Sequence, residues 1–203
     1  LTELIKDNMS ELLSHAETQK LLDELPKEHQ KLVADLIPGQ ISVSGVQRVL
    51  QSLLGERVSI RDLPNVLEGV SEACGYSRNV TMITEHVRAR LARQISDNSA
   101  DQTGVIPILT LSPEWEQAFT EALHGDGEEK QLVMAPTTLQ QFIQLVRQAF
   151  ERHTIMGESP VLLTSPAIRP YVRSIIERFR PITTVMSQNE IHARARIRTL
   201  GQI

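Results

Sequence analysis

The chain has 203 residues, of which 40% are hydrophobic, 23% charged and only 3% aromatic, and its formal net charge is −4. This composition excludes intrinsic disorder and predicts a folded chain with an aliphatic core. A single cysteine, Cys74, excludes an internal disulfide framework and a thiolate zinc cluster. The chain begins at Leu1 inside a helical pattern, so we expect it to be a piece of a longer protein.

The first half of the chain predicts helices. Residues 1–14 form a helical stripe that we assign to a preceding subdomain, and residues 15–97 form a helical subdomain. The clearest apolar face, which we predict to be core rather than interface, comprises Val46, Val49, Leu50, Leu53 and Leu54. Ser42 or Ser44 is expected to cap this helix, and Asp62 the next one, because short polar side chains satisfy free N–H groups at helix starts.

The second half predicts strands that alternate with helices. Residues 98–104 are small and polar and are predicted to be a linker before an α/β subdomain over residues 105–203. The expected strands are Val105–Leu111, Val161–Thr164, Thr183–Ser187 and Arg194–Leu200. Pro107 favours an edge position or a bulge for the first of them. The predicted fold class is therefore α+β, a helical subdomain followed by a small α/β subdomain with a short-stranded sheet.

Two helices of the α/β subdomain have the same start signal. Ser112-Pro113 and Ser165-Pro166 each place a hydroxyl before a proline, which is typical of a capped helix with proline at its first position. Both helices are therefore expected to begin directly after these serines.

Charge is unevenly distributed in this half. Residues 112–130 carry six acidic side chains against one lysine, whereas residues 165–203 carry seven arginines against two glutamates. Such polarisation steers a partner or pairs internally. The two candidate docking surfaces are an acidic helix and a basic strand, formed by Glu114 and Glu121 and by Arg194, Arg196 and Arg198.

The basic strand is not expected to bind nucleic acid. No aromatic residue interleaves with its arginines, and the net charge of the chain is negative. Two interpretations stay open: the strand binds an acidic protein surface, or its charges protect a sheet edge from unwanted pairing. In the second interpretation Arg194, Arg196 and Arg198 point away from a face formed by Ala195, Ile197 and Thr199.

The sequence contains no recognisable catalytic motif. It has no glycine-rich phosphate loop and no nucleophile elbow, and its six histidines lack a second ligand at metal-binding spacing. We therefore predict no catalytic residue, no cofactor and no metal. An α/β enzyme with an unrecognised site stays the less favoured alternative, because an enzyme would gather polar groups in one pocket.

Five stretches in chain order resemble one protein family over nearly the whole sequence. They are ELLSHAETQKLLDEL (Glu11–Leu25), VQRVLQSLLGERVSIRDLPNVLE (Val46–Glu68), TEHVRARLARQI (Thr84–Ile95), PVLLTSPAIRPYVRSIIERF (Pro160–Phe179) and VMSQNEI (Val185–Ile191). The chain is similar to the C-terminal cytoplasmic domain of type III export gate proteins, the FlhA family of flagella and SctV family of injectisomes. The flagellar branch is preferred and the injectisome branch is the alternative.

The resemblance implies a longer protein with a membrane-embedded region and a cytoplasmic domain at the inner face of the bacterial inner membrane. It implies no enzyme activity in this region. The expected partners are further copies of the chain in a nonameric ring and the stalk protein of the ATPase complex. Export chaperones and substrates are expected to bind mainly through subdomains that this sequence lacks.

The ring contacts are assigned to the helical subdomain on the basis of the same resemblance. The segment Glu56–Asp62 follows a helix end and carries charges of both signs. We predict that Arg57, Arg61 and Asp62 lie at the subunit interface, with Arg90 and Arg93 as further candidates. A local cap arrangement of Arg61 and Asp62 is the alternative.

Overall fold

The computed structural model describes residues 13–203. The chain divides into two compact units, Leu1–Leu91 and Ala92–Ile203, which we call the helical unit and the α/β unit. The helix expected over residues 1–14 lies almost wholly outside the described residues. Within them, Ser14 caps the first helix, since its hydroxyl accepts a hydrogen bond from the N–H of Glu17 at 3.0 Å.

The described part of the helical unit is built from helices. They are α1 (His15–Asp23), α2 (Lys27–Leu36), α3 (Val43–Gly55), α4 (Leu63–Cys74) and α5 (Val80–Arg90). Ser42, rather than Ser44, caps α3 through the N–H of Gly45 at 3.0 Å. Asp62 caps α4 through the N–H of Asn65 at 3.4 Å, as the sequence predicts.

The core of the helical unit is aliphatic. Val46, Val49, Leu50 and Leu53 on α3 are completely buried, which confirms their assignment to the core, while Leu54 is half-buried at its border. Helices α3 and α4 both pack against α5. The face of α4 that joins this core carries Val66, Leu67 and Val70.

The α/β unit begins earlier than the sequence suggests. Helix α6 (Ala92–Ser99) belongs to it and includes the first two residues of the predicted linker over 98–104. Tertiary contacts explain this difference. Ser96, a small polar residue on this helix, is buried and forms hydrogen bonds with Glu190 and His192, which lie far along the chain.

The remaining elements of the α/β unit form one sheet, a hairpin and three helices. In chain order they are β1 (Val105–Thr110), α7 (Pro113–Ala122), β2 (Leu123–His124), β3 (Gln131–Leu132), α8 (Pro136–Ile155), β4 (Val161–Thr164), α9 (Arg169–Ile176), β5 (Val185–Ser187), a short 3-10 turn (Gln188–Glu190) and β6 (Arg196–Gln202). The four-stranded sheet has the order β5-β4-β1-β6 with parallel pairing throughout, and β2 pairs antiparallel with β3. The predicted α+β class is confirmed.

Strand β1 is central, so the edge position that Pro107 favoured is wrong. The bulge alternative fits better, because the register between β1 and β6 shifts between Ile108 and Leu109. Pairing of β1 with β4 begins only at Ile108, one residue after the proline. The missing N–H of Pro107 therefore falls where the ladder to β4 has not yet started.

Strand β6 is an edge strand, since among the described strands it pairs with β1 alone. The predicted alternation of a buried and an exposed face is wrong here. Ile197 is 48% exposed and Thr199 is exposed, as are Arg196 and Arg198. At this edge neither face of the strand is covered over residues 196–199.

The two serine–proline signals give different outcomes. Ser112 caps α7 by accepting a hydrogen bond from the N–H of Trp115 at 3.3 Å, as predicted. The helix expected after Ser165-Pro166 instead begins at Arg169. The N–H and hydroxyl of Ser165 both bind the carboxylate of Glu116, at 2.9 and 2.6 Å, so this serine is held by another helix instead of capping its own.

Candidate functional site

The loop between α3 and α4 carries three of the predicted interface residues, Arg57, Arg61 and Asp62. The backbone turns at Arg57, whose φ of 61° lies in the left-handed region, and Val58 anchors the loop in the core. Arg61 and Asp62 are both exposed. The carboxylate of Asp62 caps α4, and Arg61 forms no ion pair within the described residues.

Arg90, a further candidate, is bound within the helical unit. Its guanidinium pairs with Glu68 at 2.5 Å and with Glu72, and its Nε donates to Asn65 at 2.6 Å. Helix α4 supplies all three partners. The charge of this arginine is therefore already neutralised by its own chain.

His86 and Tyr76 extend this network along the same surface. The Nε2 of His86 lies 2.8 Å from the carboxylate of Glu72, and its Nδ1 lies 2.9 Å from the hydroxyl of Tyr76. The hydrogen bond from His86, followed by the charge of Arg90, lowers the pKa of Glu72 below its ordinary value. The network joins α4 to α5 by electrostatics at an exposed position.

The predicted basic strand carries three arginines in different environments. Arg198 pairs with Glu158 at 3.0 Å, and Glu158 also lies 3.2 Å from Nδ1 of His153. Arg196 donates from Nη2 to the carbonyl of Thr103 at 2.7 Å. Arg194 is exposed, and its guanidinium forms no ion pair with the part of the chain that the structure describes.

The loop that receives Arg196 is held by one carboxylate. Asp101 accepts hydrogen bonds from the hydroxyl and N–H of Thr103, at 2.6 and 2.8 Å, and from the N–H of Val105 at 3.1 Å. The hydroxyl bond is the largest cause that lowers the pKa of Asp101. Gly104 adopts a φ of 80°, and a Cβ there would lie 3.1 Å from Nη2 of Arg196, so the loop and the arginine fit closely.

A buried hydrogen-bond bridge holds the segment from Glu190 to Arg194 in place. The hydroxyl of Ser96 on α6, only 1% exposed, donates to the carbonyl of Glu190 at 2.8 Å and accepts from the N–H of His192 at 2.9 Å. The side chain of Glu190 lies 3.4 Å from the guanidinium of Arg169, and both residues are 1% exposed. The segment that carries Arg194 is therefore attached to the interior of the unit.

These two walls enclose a cleft of about 460 Å3 at the start of β1 and β6. We call it the basic cleft, and its charged lining consists of Arg93, Asp97, His192, Arg194 and Arg196. From sequence alone, Arg93 is predicted to lie in the ring interface and Arg194 on a docking strand, and no sequence feature places the two together. Ser96 and His192, which lie 96 residues apart, are not predicted and give no local signal.

The acidic helix of the predictions is α7. Glu114 and Glu121 are exposed on it, and Glu121 accepts a hydrogen bond from Gln117 at 2.8 Å. Glu116 on the same helix binds Ser165 instead and is not part of this exposed acidic pair.

Residues 13–203 contain neither a membrane-spanning helix nor a metal-binding cluster of side chains. No helix there is long and apolar enough to cross a membrane. No group of three or more histidine, cysteine, aspartate or glutamate side chains is arranged to hold a metal ion.

Comparison with solved structures places the whole architecture among export-gate domains. The nonameric EPEC SctV-C structure superposes with a TM-score of 0.88 at 25% identity, covering 100% of this chain and 60% of that one. The Chlamydia pneumoniae CdsV protein in its complex with CdsO gives a TM-score of 0.85 at 27% identity, covering 100% of this chain and 59% of that one.

Curated relatives are flagellar biosynthesis proteins FlhA. The Caulobacter vibrioides protein is 62% identical over 203 residues and the Bacillus subtilis protein 30%. Both alignments cover all of this chain but only 29% and 30% of the relatives, so the chain spans less than a third of their length. The model of the FHIPEP family matches residues 1–196, and because this match covers nearly the entire sequence, the chain belongs to the FHIPEP family.

Proposed function

We propose that this chain is a non-enzymatic docking and ring-forming cytoplasmic module of a type III protein export gate. The observation that carries the proposal is the superposition of the whole chain on SctV cytoplasmic domains, together with its 62% identity to a flagellar relative. That identity is more than twice the identity to the injectisome structures, which are 25–28% identical, so we assign the chain to flagellar export. The full protein would present this module at the cytoplasmic face of the inner membrane.

Self-association is proposed because two structural neighbours are nonameric cytosolic domains. A head-to-tail interface that closes into a ring joins two different surface patches of each subunit. On the helical unit, Arg61 is the stronger contact candidate, because it is exposed and unpaired in the described chain, whereas Arg90 is occupied by Glu68 and Glu72. Arg57 and Asp62 belong to the same loop and are kept as candidates.

Charge reversal at Arg61 tests this interface. Exposed ion pairs contribute only about 0–1 kcal/mol each, so a ring built on them dissociates readily as salt rises. Arg61→Glu is expected to reduce self-association, measured by sedimentation over a concentration series, while Arg48→Glu on exposed α3 surface is the control. Equal association of both variants would remove Arg61 from the interface.

Docking of an ATPase-complex stalk protein is proposed for the α/β unit, following the CdsV–CdsO complex. Rows of acidic side chains on a helical partner would meet Arg196 on the edge strand β6 and Arg194 in the segment just before it, and basic rows would meet Glu114 and Glu121. Arg198 contributes less to such docking, because Glu158 already pairs with it. Chaperones and substrates would bind elsewhere in the longer protein.

The docking experiment compares two triple variants of equal charge change. One carries Arg194→Glu, Arg196→Glu and Arg198→Glu, and the control reverses the exposed arginines Arg48, Arg152 and Arg178. The stalk protein is expected to associate more slowly with the first variant at low salt and equally at high salt, with circular dichroism unchanged. Equal association of both variants at low salt would reject the basic strand and leave edge protection as its role.

A further inference from the structure

The basic cleft contains more positive charge than its own chain neutralises. Arg93, Arg194 and Arg196 line it with one carboxylate, Asp97, which gives a formal balance of +2 with His192 neutral. Neither Arg93 nor Arg194 forms an ion pair within residues 13–203, although acidic residues outnumber basic ones in the sequence. Elsewhere in the chain, Arg90, Arg169 and Arg198 each have a glutamate partner.

The walls of the basic cleft are organised without any ligand. One wall is the Asp101–Gly104 loop, on which Arg196 is held by the carbonyl of Thr103. The other is the segment from Glu190 to Arg194, which Ser96 and the buried Arg169–Glu190 pair fasten to the interior. A site with fixed walls binds an ion without the entropic cost of ordering its backbone. Only the guanidinium groups of Arg93 and Arg194 need to become ordered on binding.

We propose that the basic cleft binds a phosphate group, as the free ion or as part of a small phosphate ester. A phosphate group near neutral pH carries a charge of about −1.5 to −2, which compensates most of the +2 of the lining, whereas a single carboxylate leaves a full positive charge uncompensated. Guanidinium groups match phosphate oxygens with paired hydrogen bonds. The cleft volume of about 460 Å3 exceeds that of a bare phosphate and lies in the range of small-molecule sites, so an ester has room for its organic part.

The site goes beyond the proposed function and does not depend on it, because its ligand is a small anion and no partner chain takes part. It also differs from a glycine-rich phosphate loop, since the donors are side chains from α6, from β6 and from the segment just before β6, rather than backbone N–H groups. The sequence therefore contains no local phosphate-binding motif that would reveal the site.

Titration of the 203-residue chain with inorganic phosphate tests the site, with chloride holding the ionic strength constant. Saturable binding is expected by calorimetry, with amide shifts in NMR spectra concentrated at Gly104 and His192. The double variant Arg93→Gln, Arg194→Gln removes two guanidiniums that form no ion pair within residues 13–203, and it is expected to bind at least tenfold more weakly. The control Arg48→Gln, Arg152→Gln removes the same charge elsewhere and is expected to bind normally.

Two further ligands identify the source of the anion. Ribose 5-phosphate is expected to bind at least as well as inorganic phosphate if the cleft takes an ester, and more weakly if it takes the free ion. Succinate, a dicarboxylate, is expected to bind more weakly than either. No saturable binding, equal weakening in both double variants, or tighter binding of succinate would overturn the proposal.

Discussion

Arg90 on the helical unit and the cleft arginines Arg93 and Arg194 on the α/β unit are in opposite environments. On the helical unit, Arg90 lies against two glutamates and an asparagine of the neighbouring helix, so its charge stabilises the contact between α4 and α5. On the α/β unit, Arg93 and Arg194 stand at a cleft whose other charged groups do not pair with them. The number of arginines on a surface therefore does not identify a binding site. The arginines that lack an ion pair within the described chain are the better candidates for binding a ligand.

The interiors of the units differ as well. The helical core is built from valine and leucine, while the core of the α/β unit includes Phe119, Phe142 and Phe150 with Trp115 packed against it. The α/β unit also buries the Arg169–Glu190 pair directly behind the wall of the basic cleft. Buried charge occurs in both units, because Arg88 of the helical unit is 1% exposed and its guanidinium lies 3.8 Å from the carboxylate of Glu56. The units therefore differ in the aromatic content of their cores rather than in whether they bury charge.

The largest effect is expected from the buried pair. Glu190→Gln leaves the guanidinium of Arg169 without its charge partner in the interior and is expected to lower the free energy of unfolding by about 3–5 kcal/mol. Urea unfolding measures the loss. Glu177→Gln is the control, because Glu177 is half exposed and lies 3.9 Å from Arg173. A loss below 1 kcal/mol for Glu190→Gln would contradict the proposed importance of this buried charge.

Core truncation in the helical unit follows in size. Leu50→Ala removes a completely buried side chain from α3 and is expected to cost about 2–5 kcal/mol, because it deletes apolar contacts and leaves a cavity. The half-buried Leu54, changed to alanine, is expected to cost less. Thermal unfolding compares the two variants, and unchanged stability of Leu50→Ala with lost self-association would reassign this face to an interface.

Helix capping gives a smaller effect that separates the two serine–proline signals. Ser112→Ala removes the cap of α7 and is expected to cost about 1 kcal/mol. The cost of Ser165→Ala is instead expected to depend on Glu116, since that carboxylate is its partner. In a Glu116→Gln background, Ser165→Ala is expected to cost less than in the parent chain, whereas the cost of Ser112→Ala stays the same. Equal costs in both backgrounds would contradict the contact.

The smallest effect concerns Glu72, whose pKa the bond from His86 lowers. A lowered folded-state pKa means that the carboxylate stabilises the fold above the ordinary glutamate pKa of about 4.3, and that this contribution is lost as pH falls through the folded-state value. NMR titration is expected to show a rise in the pKa of Glu72 in His86→Ala. The exposed His124, changed to alanine, is the control. No rise in His86→Ala would show that Arg90 alone holds the charge.

Much of the fold could be predicted from local pattern. The apolar face of α3, the caps at Ser42, Asp62 and Ser112, and the strand Val161–Thr164 all follow from spacing between near neighbours. At Pro107 and Ser165 the local prediction failed because a neighbour distant in sequence decides the outcome. Pro107 is accepted in a central strand because pairing with β4 starts one residue later, and Ser165 is held by Glu116.

The sequence by itself determined the family, the helical and α/β halves, and the presence of arginines on the last strand. Only the tertiary structure decided which arginines are engaged, because a guanidinium finds its carboxylate or carbonyl across the fold and not along the chain. Arg198 reaches Glu158, 40 residues away, and Arg196 reaches Thr103, 93 residues away. Arg93 and Arg194 are brought to one cleft by a serine bridge that spans 96 residues, a distance at which no periodicity or spacing carries information.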